Sequence, residues 1–278
     1  MEFKASNGPV LTLDPTSVLD ILGCVVDGVD LSPGRAIPDD GDPRIDHSLE
    51  GFLFTCGPDH IRHPDAIEGQ AGKRYPLHGS FSASPAEVVD CTAVEGADCK
   101  ARVAVELADG GSALLSRHWR IDEASGTVHL TDIVTNTGDS PFPAMLMYHM
   151  NLGSKHLDEG TRLAGAMIET GSTGWRFGKP EGDIFCVPAG QGGWAEVRLG
   201  PIASIGGKTL VVRFRTDTLP YLQVWHNQTD PAAILGIEPV SHRWESRADL
   251  AKRGELVDLA PGETRQYALT FGFVTDLD

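Results

Sequence analysis

Residues 101–139, ARVAVELADGGSALLSRHWRIDEASGTVHLTDIVTNTGD, carry the pattern that decides the fold. Three runs within it, 101–107, 114–121 and 127–134, alternate apolar or β-branched residues with polar ones. Successive side chains of a strand point to opposite faces, so this alternation marks strands with one buried face. Asp109-Gly110-Gly111, Ser125-Gly126 and Thr137-Gly138-Asp139 punctuate the runs with turn chemistry. Working outward, similar segments recur at 144–151, 209–214, 221–225, 234–238 and 265–273, the last preceded by Pro261-Gly262. Helical periodicity is nearly absent; its best candidates, 15–22 and 246–256, are short and poorly capped. Many short strands with frequent turns predict an all-β chain, a sandwich or barrel.

The rest of the composition agrees. The 278 residues include 32 glycines and 18 prolines, spread along the chain rather than gathered in a linker. That exceeds the average usage of roughly 12% for the two together. Hydrophobic residues make up 41% and charged ones 22%, which predicts a folded globular protein. We read residues 1–278 as one domain, with the acidic, Pro- and Gly-rich stretch 30–46 (DLSPGRAIPDDGDPRID) as a surface excursion. The net charge of −16 argues against a nucleic-acid partner, which needs a concentrated basic surface. It leaves room for a local basic pocket that takes an anionic sugar. The start, MEFKASNGPV, lacks the basic and apolar regions of a secretory signal, and no apolar run approaches a membrane span. With an odd count of five cysteines, this predicts a cytoplasmic protein with free thiols, although Cys91 and Cys99 are spaced so that a bridge is feasible. Exposed sheet edges leave pairing into a homodimer open.

Four short patterns place polar or titratable residues beside apolar strands: Thr55-Cys56-Gly57-Pro58, Leu77-His78-Gly79, Tyr148-His149-Met150-Asn151 and Gly236-Ile237-Glu238-Pro239. In the strand 144–151, alternation puts Leu146, Tyr148 and Met150 on one face and Met145, Met147, His149 and Asn151 on the other. His149 is then either at the edge of a cleft or a half-buried histidine satisfied by a backbone carbonyl. Glu238 lies in an apolar run, where a carboxylate is unusual unless paired. It is a candidate base or half of a structural pair with Arg243. His78, next to Gly79, could be displayed at a strand entrance. His60 and His63 have a His-x-x-His spacing but precede Pro64 in a loop without further ligands, so no metal is expected. No phosphate loop, nucleophile elbow or Cys-His pattern is present, and no cofactor is expected.

Taken in order, these patterns resemble the galactose-mutarotase-like superfamily, in particular its bacterial aldose 1-epimerase-related branch. The similarity rests on GFLFTCGP (51–58), LHGS (77–80), DIVTNTGDSPFPAMLMYHMNLG (132–153), LGIEP (235–239) and the ending LAPGETRQYALTFGF (259–273). It implies a large two-sheet antiparallel β-sandwich with a monosaccharide in a cleft on the concave face. It also implies His149 as general acid, Glu238 as general base and His78 as a supporting histidine. Asn151, Gln223, Trp225, Arg62 and Arg74 are candidate sugar contacts; Trp225 also suits the core, and Arg243 is a further candidate for hydroxyls or an acidic substituent. One element departs from the branch. Leu19-Asp20-Ile21 is present, but Ser17-Val18 stands where an Arg-Gly is common.

The implied activity is mutarotation, the interconversion of sugar anomers by acid–base ring opening and closure. Two other classes fit the same scaffold. A non-catalytic carbohydrate-binding or sensor protein would bind sugar without accelerating exchange. A glycoside hydrolase would need two carboxylates across the scissile bond, and a polysaccharide lyase would need a basic groove.

Overall fold

The computed structural model describes residues 1–34, 51–82, 84–92 and 96–275; most of the excursion 30–46 lies outside them. The chain is nearly all β, built as two nine-stranded antiparallel sheets. The stretch 101–139 forms one side of one of them, the back sheet. Its strands Asp98–Glu106, Ser112–Ile121 and Val128–Asn136 lie side by side, and Thr264–Val274 pairs with the third. In Asp98–Glu106 every second residue is buried and the rest are exposed beyond the first. The alternation seen in the sequence is therefore a core face and a solvent face.

The front sheet has a different character. Its adjacent strands Leu53–Cys56, Met147–Gly153 and Ile234–Val240 are buried at every position. Their inner residues, Leu53, Tyr148, Met150, Leu235 and Ile237 among them, join Phe52, Trp119 and Phe271 in the core between the sheets. Their outer residues do not face open water. Phe54, Cys56, Met145, Met147 and Val240 pack with Ile61 and Leu250 in a second cluster. Leu250 comes from the short helix Arg247–Lys252, capped by Ser246, whose side chain accepts from the Asp249 N–H at 3.1 Å. A cap thus exists where the sequence suggested a poor one, and the helix fills only part of 246–256.

The other helical candidate, 15–22, is not a helix. Residues 15–19 form turns, and the strand Asp20–Val26 begins directly after them. Val18 and Leu19 take positive φ values of 41° and 59°, with both side chains fully buried. The geometry follows from what Asp20 does. Its carboxylate accepts from Arg117 (2.6 Å) and from the Thr55 hydroxyl (2.6 Å) and N–H (2.8 Å). Arg117, fully buried, also holds Asp132 through two hydrogen bonds of 2.9 and 2.7 Å, and reaches the Thr55 hydroxyl and the Val18 carbonyl, each at 2.8 Å. Tyr148 donates to Asp132 at 2.8 Å. Burial opposes the charge on Arg117, but Asp132 and Asp20 outweigh it and raise its pKa. This network ties the back sheet to the front one across the core.

Candidate active site

The outer face of the front sheet brings the sequence candidates together. Antiparallel register sets His149 opposite Phe54, Asn151 opposite Gly236, Trp225 opposite Gly236, and Gln223 opposite Glu238. Alternation along these neighbouring strands then turns His149, Glu238, Gln223 and Trp225 to one side. His149 Nε2 lies 3.1 Å from Glu238 Oε1, with 4% and 0% of the two side chains exposed. A methyl group on Gly236 would come within 2.7 Å of both Glu238 Oε1 and His149 Cε1. The glycine is what leaves room for the pair.

Supporting contacts fix both members. His149 Nδ1 meets Asn151 Oδ1 at 2.6 Å, while Asn151 Nδ2 donates to the Gly51 carbonyl at 3.2 Å. With the amide oriented in this way, Nδ1 donates its hydrogen to Oδ1, and Nε2 is the atom turned toward Glu238. Gln223 holds the other carboxylate oxygen, its Nε2 donating to Glu238 Oε2 and, at 3.6 Å, to Met147 Sδ. Its Oε1 accepts in turn from Arg62 Nη1 at 2.6 Å. Arg62 is itself anchored by the carbonyls of His242 (3.1 Å) and Arg243 (2.6 Å) and lies 4.4 Å over the Trp244 ring.

His78 closes the third side, its ring centroid 5.8 Å from that of His149 and 5.6 Å from Phe54. Its backbone has a positive φ of 63°, held by hydrogen bonds to Arg62 O (2.8 Å) and from Gly57 N (2.9 Å). A side chain at Gly79 would strike the His60 carbonyl at 2.1 Å. Burial, reinforced by the adjacent His149, holds the His78 ring well below the usual histidine range, so it is neutral.

Three buried polar atoms surround this place without a hydrogen-bond partner: Glu238 Oε1, His78 Nδ1 and Arg62 Nε. The 3.1 Å approach of His149 to Glu238 makes no hydrogen bond, so Oε1 keeps a free acceptor site. Buried orphans are rare in folded proteins and call for an explanation. A cleft of about 480 Å³ opens beside Arg62, lined in part by Trp244 and Arg247. A larger one, about 1030 Å³, lies around Trp194 and Arg213 on the back sheet. None of the orphaned atoms lines it, and its Arg213–Glu196 contact is a surface ion pair. Glu238 and His78 line neither cleft; Arg62 lines the smaller one and joins it to the pair through Gln223.

Several sequence candidates hold other positions. Asn151 and Gln223 were candidates to meet a sugar, yet both ends of each amide are already engaged by protein. Asn151 touches His149 and Gln223 touches Glu238. Arg74 is exposed and donates to the Pro64 carbonyl at 3.1 Å, with no contact to the pair. Arg243 joins Glu255 at 2.9 Å and lies 5.5 Å over Tyr221, so it is not the partner of Glu238. Trp225 is half-buried, its ring 6.0 Å from His149 in an edge contact, and forms a wall of the site. His60 Nε2 meets the His63 carbonyl at 2.7 Å, and among the described residues no group of three potential ligands is placed to hold a metal. Ser17 and Val18 are buried on the core side, where Val18 serves Arg117. Cys91 and Cys99 are direct cross-strand neighbours and both are free thiols. Gly236, Trp244 and Arg247 escaped the sequence reading; only a glycine interrupting the apolar run 234–238 signalled the first.

Comparison with solved structures places the fold. A candidate aldose 1-epimerase from Klebsiella pneumoniae superimposes with a TM-score of 0.75 at 22% identity, over 97% of this chain and 77% of that one. A galactose mutarotase related enzyme from Lactobacillus acidophilus gives 0.70 at 12% identity, covering 100% and 99%. A GalM/aldose epimerase homologue from C. elegans gives 0.66 at 15%, covering 100% and 99%. The fold is thus that of the galactose mutarotases, a large antiparallel β-sandwich. No curated protein matches the chain. Residues 15–273 match the model of a domain of unknown function, DUF4432, and the chain belongs to that family.

Proposed function

We propose that this protein is a sugar mutarotase, an aldose 1-epimerase-like isomerase acting on a free monosaccharide. The observation that carries the reading is the His149–Glu238 pair, buried at 3.1 Å and ringed by polar atoms that lack partners. Mutarotation needs a base at the anomeric hydroxyl and an acid at the ring oxygen. Glu238 Oε1, its sister oxygen held by Gln223, takes the hydroxyl proton. His149, acting as an imidazolium whose Nδ1–H is held by Asn151, gives its Nε2 proton to the ring oxygen as the C1–O5 bond breaks. The resulting aldehyde turns about its C1–C2 bond. On reclosure the ring hydroxyl returns its proton to His149, and Glu238 returns the other to O1. The enzyme ends as it began, without metal, nucleotide or covalent intermediate. His78, neutral, and Trp225 shape the space around the ring.

A hydrolase would need a second carboxylate roughly 5–10 Å from Glu238 across the scissile bond, whereas the side chains that touch Glu238 here are His149 and Gln223. Five free cysteines suit action in the cytoplasm. Among the described residues no helix is long and apolar enough to cross a membrane. The test is NMR saturation transfer between the anomers of free aldoses, with and without the protein. Accelerated exchange that disappears in both Glu238→Gln and His149→Ala supports the reading. Sugar binding with no acceleration for any aldose would leave a carbohydrate-binding protein in its place.

A further inference from the structure

The cleft beside Arg62 contains a second arginine, Arg247, and among the described residues neither guanidinium is matched by a carboxylate. Arg62 is held by Gln223, two backbone carbonyls and the face of Trp244. Arg247 donates to the Asp59 carbonyl at 2.6 Å, contacts Met145 Sδ at 3.3 Å, and lies 4.2 Å over the Tyr75 ring. Several other guanidinium groups meet acids, Arg117 with Asp20 and Asp132 and Arg243 with Glu255 among them. Two acids share the cleft, but each has another engagement. Glu245 lies 3.7 Å from Arg253, and Asp65 accepts the Ala66 N–H at 2.9 Å. Carbonyls and ring faces orient a guanidinium without neutralising it. The result is a pair of fixed cations without a direct carboxylate partner among the described residues, Glu238 and Glu245 acting on Arg62 only from a distance, in a chain of net charge −16. Planar oxyanions match the donor fork of such groups, and Arg62 Nε is a buried donor still without a partner.

We propose that Arg62 and Arg247 form an oxyanion subsite, and that the preferred sugar carries a carboxylate or phosphate at the end remote from its anomeric carbon. The proposal rests on the mutarotase reading for the sugar's orientation. Arg62 touches Gln223, which touches Glu238. A pyranose with its anomeric end at Glu238 therefore directs its far end toward the cleft. The cleft of about 480 Å³ is lined by Arg62 and Arg247 but not by Glu238, so it offers room for the far, charged end of such a sugar.

Calorimetric titration with glucose, glucose 6-phosphate and glucuronate tests this, with NMR anomer exchange followed on the same samples. One of the two anionic sugars binds about ten-fold tighter than glucose or better, and which one does so separates phosphate from carboxylate recognition. The advantage shrinks as salt rises from about 50 mM to about 300 mM. In Arg247→Met the affinity ratio of anionic to neutral sugar falls toward one, whereas Arg247→Lys keeps part of it and guards against a folding defect. Equal affinity for neutral and anionic sugars, or a ratio unchanged in Arg247→Met, overturns the subsite. Anionic preference without accelerated exchange supports the subsite and defeats the mutarotase reading. Glucose exchange without anionic preference does the reverse, and absence of all binding defeats both.

Discussion

Tyr148 and His149 are neighbours on one strand, yet they belong to buried polar regions of opposite kind. On the inner face, Tyr148 joins Arg117, Asp132, Asp20 and Thr55 in a network where the charged groups find partners between 2.6 and 2.9 Å. On the outer face, His149, Glu238 and His78 are buried and Arg62 is partly so, and together they leave three polar atoms unsatisfied. A satisfied buried network holds structure together. An unsatisfied one costs stability, and here it is assembled by a glycine, two oriented amides and a left-handed backbone turn. The contrast separates anchoring polarity from polarity kept open for a ligand.

The contrast breaks or sharpens under mutation. Glu238→Gln should lower anomer exchange by about 10²–10⁴-fold while leaving the urea midpoint unchanged or higher, because it replaces an unsatisfied carboxylate. A large loss of stability would instead place Glu238 with the anchoring groups. Arg117→Met should do the opposite, removing about 3–5 kcal/mol of unfolding free energy by stranding Asp20 and Asp132. Equilibrium urea unfolding measures it, and a loss under 1 kcal/mol would contradict the anchoring role. Gly236→Ala tests the space between the pair. The added methyl should cost about 1–3 kcal/mol and displace His149, seen as a fall in exchange rate with the fold retained by circular dichroism.

The smallest effect concerns acid. His242 is buried on the roof of the site, where desolvation lowers its pKa from 6.5 to about 4. Its unfolded form binds a proton before its folded form does, so stability is lost as pH falls from 6.5 toward 4. Between pH 7 and pH 5 this one group should remove about 2 kcal/mol. The same acidification should cost His242→Asn correspondingly less in urea titrations, and equal losses would exclude His242 as the source.

The back sheet was legible because its strands are half-exposed, so alternation in 101–139 maps directly onto burial in Asp98–Glu106 and its neighbours. His149 and Glu238 were legible for a related reason, being polar residues in apolar runs. The amides were harder. Nothing in the sequence states where the two ends of Asn151 or Gln223 are spent, so both were read as sugar contacts. Asp20, Thr55 and Asp132 belong to the motifs that suggested the family, yet they face the core and serve Arg117. Turn residues 15–19 passed for a helix because the pull of Asp20 on Arg117 is a long-range contact. Trp244 and Arg247 reach the cleft only because the segment after Val240 folds back over the sheet, a tertiary event without a local signature.

The adjacency of Tyr148 and His149 also bears on how the chain finds its pairing. A slip of one residue in Met147–Gly153 would exchange the two faces of the strand. It would thrust an imidazole against the Arg117 guanidinium and leave Asp132 without its phenol, while a tyrosine took the place opposite Glu238. An all-apolar strand could slide with little penalty, since one aliphatic side chain replaces another. Here a misaligned strand meets mismatched charge on one side and a blocked cavity on the other. The residues proposed for catalysis thereby also proofread the folding of the sheet that carries them.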